Sequence, residues 1–480
     1  MISHDMMAPL MFGGLILFML IGYPVAFSLG AVGLFFGMIG IKLGFFHISL
    51  LQALPERVFG ILANDLLLSI PFFTFMGAVL ERCGLAEDLL EGTGQLFGPV
   101  RGGLAYAVIL VGALLGAITG TVAASVIAMG LISLPVMMRY GYNMRLATGV
   151  IAASGTITQL IPPSLVLVVL ADQLGKSVGD MYAGAIGPSI VQVLLFCAFI
   201  FFLSIFRPQD VPALPPEARS KIGWRLIARV LWGMVPSLAL IFLVLGTILV
   251  GLATPTEGGA MGAVGAIGLA AMHRRLTWDL LWQGMGSTMR ITAMVIFILV
   301  GSTVFGLVFR GVDGDLWIER MLLALPGGQV GFLFAVNIFV FFLAFFLDYF
   351  EIAFIIIPLL APVATKLGID LIWFGVLLGA NMQTSFMHPP FGFALFYLRG
   401  VAPKEVKSSD IYWGALPWVG LQLILVAIII FWPGLVTSFI DKDVAPETPP
   451  AIETPAQAPD RGDQPDDQSA DIERQLKQMK

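Results

Sequence analysis

The chain has 480 residues, of which 58% are hydrophobic and only 12% charged. Soluble domains carry about 25% charged residues, so this composition excludes a soluble globule and calls for a lipid-embedded protein. The net charge of −5 comes from the C-terminal stretch alone: positions 441–480 hold ten acids and five bases, leaving 21 of each in the body. A neutral body gives no reason to expect a nucleic-acid partner. No GxxxxGK[ST] loop is present, which excludes a built-in P-loop ATPase. Four histidines and two scattered cysteines give no transition-metal cluster, and Cys83 and Cys197 read as packing residues rather than a disulfide.

The apolar runs approach the ~20 residues a spanning helix needs, and they lack strand-like alternation, so an all-α membrane fold is expected rather than a β-barrel. The N-terminal "MISHDMMAPLMFGG" lacks the basic start and small-residue cleavage site of a signal peptide, so the first apolar run is expected to be a retained helix. Spans are predicted near 7–22, 24–43 and 62–83, with a shorter interfacial segment at 46–60. Pro71, in "NDLLLSIPFF", reads as a hinge or a kink. Block 104–138 is too long for one comfortable span and carries "GAITGTVAAS" at its middle. It reads as a helical hairpin entering and returning on one side, since irregular backbone at membrane depth is tolerated only inside protein or beside a watery cavity.

Next come a span at 148–172, interrupted by "QLIPP", and another at 186–206. A basic loop at 207–229 leads to spans at 230–252, 256–273 and 287–310. A second long block, 331–365, has "LDYFEIA" at its middle and is the second expected hairpin; 373–398, interrupted by "FMHPPFG", and 412–439 complete the body. That makes about ten spanning helices plus the interfacial one. The Pro-, Asp- and Gln-rich stretch 441–480 is expected to be disordered. The units implied are a frame with an interfacial arm (1–61), a first repeat (62–185), frame helices (186–273), a second repeat (287–411) and a last helix (412–440).

If the loops near 82–101, 139–145, 207–229, 274–290 and 399–407 face the cytoplasm, they hold 15 of the body's 21 basic residues. Both termini then lie outside. The chain also repeats itself: "DMYAGAIGP" (180–188) matches "DIYWGALP" (410–417), and "SLGAVG" (28–33) resembles "AMGAVG" (260–265). The charge count gives the two copies opposite orientations. Inverted repeats with interrupted helices at corresponding positions are the sequence pointer to a secondary transporter and its midplane site.

Pro162 and Pro163 in one copy, and Pro389 and Pro390 in the other, mark the helix breaks, where freed carbonyls can coordinate a cation. Around the first break lie Gly120 and Thr121 at the hairpin tip, with Ser154, Thr158 and Gln159 on the broken helix. Hydroxyl and carbonyl oxygens are what a hard cation such as Na⁺ accepts in place of water, although small residues also serve simply to pack helices. Counting back from each proline pair aligns Ser154 with Asn381, Thr156 with Gln383, and Thr158 with Ser385. Thr121, Ser154, Asn381 and Gln383 are the candidate substrate ligands. Asp348 and Glu351 are the only acids in their apolar run, and an acid at membrane depth is a functional-site hypothesis by default. His388 is read as either structural or a proton carrier, and Glu257 as a helix cap or a transport residue. A carboxylate would sit near helix N-termini after the breaks.

"IPFFTFMGAVLERCGL" (70–85), "GAITGTVAAS", "IPPSLVLVVLA", "ATPTEGGA" (253–260), "LAPVATKLGIDLIWFGV" (360–376) and "PPFGFALF" (389–396) occur in order over about 7–440. This ordered set resembles the large membrane subunit of TRAP (tripartite ATP-independent periplasmic) transporters. The resemblance implies an elevator mechanism in a bacterial inner membrane and Na⁺-coupled uptake of organic acids. It also implies a small four-helix membrane subunit and a soluble periplasmic substrate-binding protein, with no cofactor beyond Na⁺ and no enzymatic activity. Carried over, Gly120, Thr121 and the stretch Thr158 to Pro163 form one Na⁺ site; the second hairpin and 381–390, with Ser385, form the other. "MQTSFMHPP" and the acids at the second tip depart from the common pattern and point to an organic-acid, mannitol–chloroaromatic-like subgroup handling keto acids or other carboxylates. They also raise a proton-coupled carrier without a binding protein as the alternative. A channel or membrane-embedded enzyme is the remaining rival.

Overall fold

The computed structural model describes residues 3–119, 122–219, 223–345, 347–390 and 392–440. The first hairpin tip, Gly120 and Thr121, lies outside the described residues, as does the acidic stretch 441–480 that was expected to be disordered. The described residues are helical, with no strand among them. Six helices are individually long and apolar enough to cross a membrane, and two bent pairs raise that number to eight; shorter apolar helices fill the rest.

The first hairpin comprises Gly103–Thr119 and Val122–Arg139, which pack against each other. The second runs as Gly328–Leu343, then Tyr349–Ile355 and Ile357–Lys366, with a 52° bend between the last two. Several helices depart from the expected limits. Val178–Phe206 and Trp278–Gly311 start before the predicted 186 and 287. Their first turns are polar and therefore fail a hydropathy reading, yet Ser177 and Thr277 cap them by accepting the N–H groups of Asp180 and Leu280. At ~1.5 Å per residue the longer one extends about 50 Å, well beyond a ~30 Å hydrocarbon layer. Leu85–Leu96, read as loop from sequence, is a helix, and so is Gly314–Leu323, which lies between two predicted spans. Gly314–Leu323 turns 117° into the second hairpin. Pro71 is no kink: it lies in the first turn of Ser69–Arg82, where a missing N–H costs no hydrogen bond.

The two copies are interlocked. Val25–Leu43 of the first packs on Trp278–Gly311 of the second, and Ser69–Arg82 of the first packs on Pro255–Met272 of the second. Likewise the broken helix beginning Met144–Thr156 lies against Ser408–Phe431, and the one beginning Leu371–Met382 lies against Val178–Phe206. Small residues permit this closeness, as they do generally between helices in lipid. A Cβ on Gly149 would sit 2.2 Å from the Gly414 carbonyl oxygen, and one on Gly414 equally close to that of Arg145.

Candidate functional site: two broken helices in contact

The two breaks are built alike. Met144–Thr156 tightens into a 3₁₀ turn at Ile157–Gln159, passes the cis Pro162–Pro163 peptide, and restarts as Leu165–Leu174. Leu371–Met382 tightens at Gln383–Phe386, passes the cis Pro389–Pro390 peptide, and restarts as Phe393–Val401. Proline supplies no N–H and its ring clashes with the preceding turn, so neither helix can run through. Ser164 restarts the first by accepting the Val166 N–H while its own hydroxyl donates to the Gln159 carbonyl.

Backbone freed at a break must be satisfied locally, and much of it is. Thr156 donates to the Ala153 carbonyl (2.9 Å), Thr384 to that of Asn381 (2.7 Å), and Ser189, from the following long helix, to that of Leu160 (3.0 Å). The side chains are a different matter. Ser154 Oγ, Thr158 Oγ1, both amide atoms of Gln159, Asn381 Oδ1, Ser385 Oγ and both ring nitrogens of His388 are buried without a protein hydrogen-bond partner among the described residues. Most buried polar atoms in a fold are paired, so a cluster of orphans demands a reason. The two breaks also touch each other, with Thr156 Oγ1 3.6 Å from the Met387 sulfur.

The remaining candidates fall into distinct settings. Gln383 has its amide engaged by Gln192, which donates to it at 2.6 Å. Asn381 donates to the carbonyl and side-chain oxygens of Asn337 on the second hairpin, at 2.8 and 3.1 Å, leaving its own Oδ1 free. Asp348 and Glu351 form a capping box at the second tip: Asp348 accepts the Tyr349 N–H (2.7 Å), and Glu351 accepts that of Asp348 (3.0 Å). Glu257 does the same for Pro255–Met272, accepting the Thr254 N–H at 2.8 Å from an exposed position, so capping accounts for it. His388 is buried between Phe341 and Phe345, ring centroids 4.4 and 4.1 Å away. Thr121 and Gly120 lie outside the described residues. Sequence reasoning passed over Gln192, Gln422 and Asn337; each is a lone amide in an apolar run, a signal that was there to be used.

A groove of about 360 Å³ opens between the C-terminal end of Leu165–Leu174, the second hairpin and Trp278–Gly311. Arg57, Asn64, Asp172, Ser302, Arg310 and Phe354 line it. Two hydrogen bonds cross it, from Asn64 to Asp172 (2.9 Å) and from Ser302 to the Phe354 carbonyl (2.8 Å).

A family model described as "Tripartite ATP-independent periplasmic transporter, DctM component" matches residues 12–435. The chain belongs to this DctM family. It is therefore a TRAP transporter large membrane subunit: a multi-pass membrane protein and not an enzyme. Among DctM relatives, the C4-dicarboxylate TRAP transporter large permease protein of Pseudomonas aeruginosa is 30% identical over 80% of this chain and 88% of its own. The sialic acid TRAP transporter permease protein SiaT of Haemophilus influenzae is 26% identical over 88% of this chain and 66% of its own. The 2,3-diketo-L-gulonate TRAP transporter large permease protein YiaN of Escherichia coli is 26% identical over 77% of this chain. Among solved structures, the YdaH transporter of Alcanivorax borkumensis superposes with a TM-score of 0.57 at 15% identity, covering 82% of this chain and 90% of that one. At that identity the likeness concerns the fold.

Proposed function

We propose that this DctM subunit imports a small carboxylate across the bacterial inner membrane by Na⁺ coupling, its hairpins and broken helices moving as one body against the frame. The observation carrying this reading is the cluster of buried oxygens without protein partners on the two breaks: Ser154, Thr158, Gln159, Asn381 and Ser385. Hydroxyl and amide oxygens in a dry setting are suitable ligands for a hard monovalent cation. Gly120, Thr121, Thr158 and Gln159 serve one Na⁺, and Asp348, Glu351 and Ser385 the other. The carboxylate binds between them, in reach of Ser154 and Asn381. Gln383 contributes by position, since Gln192 holds its amide. Arg57 and Arg310, neither ion-paired among the described residues, line the groove at the far end of Leu165–Leu174 and favour the approach of an anionic cargo. The names of two relatives support the same class: one is a C4-dicarboxylate permease and another a 2,3-diketo-L-gulonate permease.

By the same reading the subunit works with a small four-helix membrane protein and a periplasmic binding protein that delivers the substrate, with both termini on the periplasmic side. The experiment is uptake of labelled succinate and of a keto acid into proteoliposomes holding the whole complex. Accumulation is expected to need an inward Na⁺ gradient; uptake that ignores the gradient and follows pH instead would establish the proton-coupled alternative.

A further inference from the structure

Val178–Phe206 and Ser408–Phe431 are among the most apolar helices of the chain, yet each buries one glutamine completely: Gln192 and Gln422. Burying a primary amide is costly unless it is paired. The two occupy equivalent places, each twelve residues beyond the aspartate in its helix's first turn, Asp180 or Asp410. Their partners are equivalent too, since Thr156 and Gln383 each stand six residues before the first proline of their pair.

What joins them is a crossover. Gln192, on the helix that follows the first break in its copy, donates to Gln383 Oε1 in the break of the second copy, at 2.6 Å, and Gln383 answers at 3.4 Å. Gln422, on the helix that follows the second break in its copy, donates to Thr156 Oγ1 in the break of the first copy, at 3.0 Å, and its amide nitrogen lies 3.7 Å from the Met387 sulfur of its own copy's break. Among the described residues, neither glutamine holds the break of its own half by a hydrogen bond to an oxygen. Helix packing alone would be served by leucine at both places.

We propose that Gln192 and Gln422 are reciprocal positioning residues, each fixing the interrupted backbone of the opposite repeat so that the two breaks behave as one rigid site. Thr156 lies in the 154–159 stretch and Gln383 in the 381–385 stretch that carry the orphaned oxygens, so each brace sets the spacing of the atoms that meet the cargo. Only the cargo part of this inference rests on the proposed Na⁺ coupling; the crossover stands on the hydrogen bonds.

The test is hydrogen–deuterium exchange on the full chain in lipid nanodiscs. Gln192→Met is expected to speed exchange across 381–393 about tenfold, the scale of one lost buried hydrogen bond, and to leave 154–165 unchanged. Gln422→Met does the reverse. Faster exchange in the variant's own repeat, in both breaks alike, or in neither overturns the proposal. Should the methionine variants fail to fold, Gln383→Thr decides. It gives the second break the hydroxyl that the first already uses, so its exchange stays within about twofold of the parent while that of Gln383→Leu does not. Threonine and leucine behaving alike overturns the proposal. On the same samples, the melting temperature in NaCl is compared with that in choline chloride; Gln192→Met and Gln422→Met shrink the difference, and Gln383→Thr keeps it. A parent protein whose melting ignores the cation would remove the Na⁺ reading and leave the exchange pattern to judge the brace.

Discussion

A carboxylate at membrane depth is expensive, and Asp348 and Glu351 lessen that cost by taking backbone N–H groups as partners. Capping leaves part of each carboxylate's accepting capacity unused, so the structural role does not exclude the proposed cation-binding one. Substitution separates them. Asp348→Asn keeps a competent cap and is expected to melt with the parent, while Asp348→Ala loses about 1 kcal/mol, read as the shift in a detergent melt. If Asp348 also holds Na⁺, the asparagine variant needs several-fold more Na⁺ for half-maximal uptake despite its intact fold. The hydroxyl and amide residues of the breaks were legible because polar groups beside paired prolines have few uses in lipid. Gln192 and Gln422 were not, because a lone amide in an apolar helix acquires meaning only once topology shows what lies opposite.

Between elements, the close crossing of Met144–Thr156 with Ser408–Phe431 has no room for a side chain at Gly149 or Gly414. Gly149→Ala is expected to destabilise by about 1–3 kcal/mol, as overpacking does. Gly268, with nothing within 4 Å of its added Cβ, is the control: Gly268→Ala is expected to gain about 0.5–1 kcal/mol through helix propensity. Thermal unfolding in detergent measures both. Hairpins and broken helices could be read from sequence, since a long apolar block with a polar middle or a proline pair admits few other folds. Helix ends could not. The capped polar turns at Thr277 and Ser177 resemble loop, and the amphipathic Leu85–Leu96 carries too many polar residues for a hydropathy reading.

Across the whole molecule, helices of each half pack on helices of the other, so neither half is expected to fold alone. Cut within the loop 207–229, the two pieces are expected to accumulate and co-purify when expressed together, and to be degraded when expressed singly; a stable, monodisperse first piece would contradict this. The two copies were visible in the sequence as matched motifs, but their exchange of partners was not, since a repeat unit reads the same whether it packs on itself or on its twin. The exchange also imposes a timetable on biosynthesis. Gln192 is made 191 residues before the Gln383 that answers it. At about 5–20 residues per second the nascent first half waits roughly ten to forty seconds with that amide unanswered. During that interval the translocon or a membrane chaperone has an apolar helix with one unpaired amide to shelter.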